Sequence, residues 1–62
     1  MNRIFRVIGN SRFDHNFEVG QLVELVRLYP DGVCEVRGKH FMSEINQDIH
    51  PCDLEEIFRE EK

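Results

Sequence analysis

The chain has 62 residues, is 40% hydrophobic and 32% charged, and carries a formal net charge of −4. That length admits one small domain, residues 1–62, which buries only about 60% of the surface its unfolded chain exposes, and the composition excludes disorder. The acidic balance argues against general nucleic-acid binding, which draws its affinity from Lys and Arg on phosphates, and no apolar run approaches the ~20 residues of a membrane-spanning helix.

The charge is uneven. Arg3, Arg6 and Arg12 are the charges of the first twelve residues, while Asp53, Glu55, Glu56, Glu60 and Glu61 make the end acidic. An acidic end is ordinarily a solvated one, or else a patch that docks on a basic partner. The opening "MNRIFRVIGNS" lacks the apolar core of a signal peptide. The expected location is therefore cytoplasmic, with no membrane association, and Cys34 and Cys52 are expected to stay reduced.

In chain order, "RIFRVI" (residues 3–8) reads as a first strand, rich in β-branched and aromatic residues, and "GNS" as a turn. "RFDHNF" (residues 12–17) reads as a loop that tucks at least one aromatic inward. Residues 21–29 place Gln21, Glu24 and Arg27 at helical spacing. Nine residues are short for a helix, however, Gly20 is a weak cap, and Pro30 would stop it abruptly. A strand is favoured, with Val23 and Leu25 on one face and Leu22, Val26 and Leu28 on the other, buried on both faces along part of its length.

"YPDG" supplies a type I turn with Pro second, Asp third and Gly in the left-handed position, a short hairpin loop. "VCEVRG" (residues 33–38) is the return strand, Gly38 marks a turn, and "KHFMSEINQ" (residues 39–47) is a fourth strand. Residues 50–53 form one turn of 3₁₀ type. Residues 54–58 fit either a closing strand or a short helix capped by Asp53. The expectation is all-β with one short helical turn near the C-terminus: four to five short antiparallel strands in a small barrel or roll.

An opening strand, then Phe17, Gly20, Val23, Leu25 and Val26, a "PDG" turn, two more strands and an ending of Asp53, Leu54, Glu55 and Ile57 resemble the small SH3-like barrels. The chain looks especially like the short proteins of this kind that bacteriophages encode. The resemblance covers nearly the whole chain. It implies a non-enzymatic binding module that engages and modulates a host bacterial protein in the host cytoplasm. With no Trp and one Tyr, the chain lacks the aromatic cluster that reads Pro-rich ligands.

Chemistry-bearing groups are sparse. Cys34, His40, His50 and Cys52 could be a zinc set, but their spacings are not the close pairs zinc prefers. The plainer reading has both cysteines as small buried groups and the histidines partly exposed. Nothing supplies an orienting third group for a Cys–His nucleophile, and the glycines are isolated, so neither catalysis nor a cofactor is expected. The expected contact residues are Arg12, Phe13, His15 and Phe17 on the loop, Tyr29 and Asp31 at the hairpin tip, and Glu55 and Glu56 near the end. Phe13 and Tyr29 are the aromatics expected at the surface. The alternative is a nucleic-acid strip of Arg3, Arg6, Arg12, Arg37 and Lys39. The expected state is a monomer or weak homodimer.

Overall fold

The computed structural model describes residues 3–12 and 14–60. The fold is all-β, with strands β1 (Arg3–Val7), β2 (Leu22–Leu28), β3 (Cys34–His40), β4 (Ser43–Ile49) and β5 (Leu54–Arg59). One 3₁₀ turn, Pro51–Asp53, links β4 to β5. The strands form one antiparallel sheet in the order β4-β3-β2-β1-β5. The sheet is open, with β4 and β5 as its edges. Among the described residues no helix is long and apolar enough to cross a membrane.

Cross-strand partners point to the same side of a sheet, so the pairing sorts the residues into two faces. Phe5 opposite Val23 and Leu25 opposite Val36 lie on the inner face. The core is Phe5, Val7, Phe17, Val23, Cys34, Val36, Ile49 and Leu54, with Val7, Val36 and Ile49 fully enclosed. On the outer face the register aligns Asn46, Arg37, Glu24, Ile4 and Phe58. Leu22 and Val26 are each about half exposed. So is Leu28, which does not share the face of Leu22 as expected, because the extra residue Val26 turns it to the inner face opposite Cys34. The expectation that β2 is buried on both faces is therefore corrected: the core lies on one side of the sheet only.

Two irregularities matter. The register shifts between Leu25 and Arg27, where Val26 is the extra residue. It shifts again where Ile4 faces Phe58 and Phe5 faces Glu56, which leaves Ile57 unopposed. Such a bulge reverses the strand's alternation locally. Glu56 and Arg59 thereby come to one side, and the Glu56 carboxylate accepts hydrogen bonds from Arg59 at 3.1 and 3.2 Å and from Arg3 at 2.6 Å.

The segment 33–47 folds differently from the expectation. Gly38 is no turn. It is buried within β3, opposite Ile45, and β3 continues to His40. A Cβ on Gly38 would lie 2.7 Å from Val23 Cγ1 and 3.0 Å from Phe17 Cε1. The position is glycine because two core side chains press on the backbone there. The chain reverses instead at Phe41–Met42, and β4 begins at Ser43. Residues 54–58, open between strand and helix in the sequence, are strand, because β1 offers them a ladder from Arg3↔Arg59 to Val7↔Leu54.

The loop between β1 and β2 covers the core and is pinned from the far end of the chain. Asp53, buried, accepts from the Ser11 hydroxyl at 2.8 Å, the Ser11 amide at 3.0 Å and the Arg12 amide at 3.4 Å. Burial pushes the Asp53 carboxyl up, but the bonds from Ser11, Arg12 and Cys52 outweigh it and hold the group below its ordinary range. The ring of His15 accepts from the Phe17 amide at Nδ1, 3.2 Å, so its proton sits on Nε2, which donates to the Gly9 carbonyl at 2.9 Å.

Candidate protein-contact site

Two hairpins protrude from this sheet. In the β2–β3 hairpin, the Gly32 amide donates to the Tyr29 carbonyl at 2.9 Å and the Tyr29 amide to the Val33 carbonyl at 2.9 Å. Gly32 takes φ +93°, and the Asp31 carboxylate accepts from the Val33 amide at 3.1 Å. Each residue there does what its chemistry favours.

The β3–β4 hairpin does the opposite. His40↔Ser43 is its last pair, so Phe41 and Met42 form a two-residue loop. Of these two, only Phe41 has a positive φ, +58°, the pattern of a II′ turn, whose first position favours Gly. Among the described residues Phe41 is the only non-glycine with positive φ. It is nevertheless 88% exposed, and Met42 is 96% exposed. The His40 ring packs on the Phe41 ring, centroids 4.4 Å apart, and steadies it.

Beside this tip lies a groove of about 650 Å³ lined by Glu18, Val19, Gly20, Gln21, Lys39 and Phe41, among others. Its walls are fixed. The Gln21 side chain donates to the Lys39 carbonyl at 2.7 Å and accepts from the Glu18 amide at 3.1 Å, and the Gly20 amide donates to the Val7 carbonyl at 2.7 Å. Val19 adds a third exposed apolar side chain. The arrangement is an exposed apolar surface beside a groove with a polar rim.

The residues expected to make contacts are scattered. Phe17 and His15 are corrected from surface to interior: each is buried, Phe17 in the core and His15 through its two ring bonds. Phe13 lies outside the described residues. Arg12 and Asp31 are exposed, on different elements. Tyr29 is half-buried, and its hydroxyl donates to Glu35 at 3.3 Å. Burial, then Asp48 and Glu35, push its phenol up. Glu55 pairs with Arg6 at 3.5 Å, and Glu56 with Arg3 and Arg59.

The basic strip is divided. Arg6, Arg37 and Lys39 share the outer face, whereas Arg3 lies over the Phe5 ring on the inner side and Arg12 sits on the loop. Carboxylates hold Arg3 and Arg6, and Arg37 donates to Asn46 at 3.1 Å. Cys34 is buried, as expected, and its thiol is pushed up by burial, while Cys52 is exposed, against expectation. Both cysteines are free. Among the described residues no three His, Cys, Asp or Glu side chains are grouped to hold a metal.

Sequence reasoning missed Phe41 and Met42 because it placed them within a strand. The available signal was "FMS": two apolar residues in succession, followed by a polar one, break strand alternation. The chain matches no family model, no curated protein and no solved structure.

Proposed function

We propose that the protein is a non-enzymatic protein-interaction module that inserts Phe41 and Met42 into a concave apolar pocket of its partner. One observation carries this reading: a large aromatic side chain, almost wholly exposed, stands where the backbone favours glycine. A fold gains nothing from an exposed Phe at positive φ, and such local departures concentrate at functional positions. Aromatic and Met side chains are also the enriched anchors of interfaces. The resemblance to phage-encoded barrels makes a host bacterial protein the first partner class to test. The strip of basic residues is divided and largely paired, which disfavours the nucleic-acid alternative.

The test compares tagged wild-type protein with the double variant F41G/M42S as bait in a bacterial lysate. A saturable partner captured by the wild type and lost by the variant is expected. Identical recovery by both proteins would overturn the assignment of the tip.

A further inference from the structure

The two edges of the sheet are unlike. β5 is bulged at Ile57, which bends a strand and blunts its edge. β4 is paired to β3 through seven successive residues, Cys34↔Ile49 to His40↔Ser43, with no shift. It contains neither Pro nor Lys, residues that commonly protect an edge.

Ladder geometry fixes which groups of β4 are free. A two-residue hairpin closes on a hydrogen-bonded pair, here His40↔Ser43, and bonded pairs then alternate. Ser43, Ile45, Gln47 and Ile49 therefore bond inward to β3. The N–H and C=O groups of Glu44, Asn46 and Asp48 point away from the sheet. Among the described residues no backbone bond reaches them from that side.

The side chains of those three residues line the outer face. Asp48 stands directly opposite Glu35, a like-charge pair, whereas Glu44 stands opposite Lys39; neither Glu44 nor Asp48 forms a salt bridge among the described residues. Like charges directly opposite each other are unfavourable. A basic residue on an adjoining strand would relieve that repulsion. A second copy of β4 would not, since in the fully overlapped antiparallel register Glu44 of each copy faces Asp48 of the other.

We infer that the β4 edge accepts an extended basic segment of a partner protein as a sixth strand, read as basic–apolar–polar–apolar–basic. The basic side chains sit opposite Glu44 and Asp48, the polar one opposite Asn46, and the apolar ones beside the half-buried Ile45 and Gln47. Backbone bonds supply the affinity and alternate side chains the selectivity. The inference rests on the binding-module reading but uses a surface other than the hairpin tip.

The experiment titrates the full chain, at low salt, with a synthetic peptide containing Lys-Val-Thr-Val-Lys and with one carrying Glu at both Lys positions. Amide shifts in a nitrogen–proton correlation spectrum map the contact. Saturable binding of the basic peptide alone is expected, with shifts centred on residues 43–49. E44K/D48K should weaken it by about tenfold, the scale of two exposed charge pairs, and should favour the acidic peptide instead. Asn46→Pro removes the outward N–H, which edge strands tolerate, together with the side chain that bridges Arg37 and Glu35, and should abolish binding of either peptide. F41G/M42S should bind the basic peptide as the wild type does, so failure of the tip assignment is seen separately. Equal binding of both peptides, no binding, or shifts centred away from β4 would overturn the inference.

Discussion

The β2–β3 and β3–β4 hairpins are made by one chain under one set of backbone rules, and only the first obeys them. At the first, Pro30, Asp31 and Gly32 each occupy a position that suits them, and the turn is self-sufficient. At the second, a large aromatic occupies the left-handed position, with the side chain facing solvent. The first hairpin is explained by folding alone. The second is not, and on the proposed reading the difference separates scaffold from contact surface.

Three substitutions test that contrast. The largest effect is expected at Gly38, the residue that resembles a turn glycine but belongs to the core. Gly38→Ala places a Cβ 2.7 Å from Val23 Cγ1 and 3.0 Å from Phe17 Cε1, and overpacking of this kind destabilises by about 1–3 kcal/mol. Thermal unfolding followed by circular dichroism measures it, and an unchanged Tm would mean that β3 does not pass through that position. Next come the two turns themselves. Gly32→Ala, at φ +93°, should lose about 1 kcal/mol, whereas Phe41→Gly should gain about 0.5–1 kcal/mol by relieving an unfavourable φ. Loss of stability in Phe41→Gly would show that the ring packs for the fold and is not held out for a partner.

The smallest effect is a pH dependence away from both hairpins. Hydrogen bonds from Arg3 and then Arg59 lower the Glu56 carboxyl from 4.5 to about 2. A folded-state pKa below the unfolded one gives stability that is present above about pH 4.5 and is lost as pH falls toward 2. The lowered Asp53 acts with the same sign. In Glu56→Gln the decline in Tm across that window should be shallower than in wild type. Parallel curves would show that the Arg3–Glu56–Arg59 contact contributes nothing in solution.

Much of the fold was legible because it is written in local chemistry. β-Branched and aromatic runs identified β1 and β2, "YPDG" identified the first hairpin, and His50 to Asp53 identified the 3₁₀ turn. What was not legible depends on residues far apart in sequence. Gly38 reads as a turn unless Val23 and Phe17 are known to press on it. Asp53 reads as a helix cap, yet it binds Ser11, 42 residues away. His15 reads as a surface residue until Gly9 and Phe17 are seen to satisfy both ring nitrogens. The candidate site was hidden by the first of these: once Gly38 was taken for the turn, Phe41 and Met42 fell inside a strand.

The place of β1 in the sheet bears on how the chain is made. It lies between β2 and β5, and its Arg3 reaches Glu56 across 53 residues of sequence. During synthesis, β2, β3 and β4 can pair one after another as they leave the ribosome, since each adjoins the next. β1 must wait, with one side bare, until β5 emerges. Pairings of such long separation are slow to form, on the millisecond-to-second scale, and an uncovered strand edge is a template for other chains. A ribosome stalled after β4 would therefore present the apolar row of Phe5 and Val7 without its last neighbour, the species on which a chaperone would act.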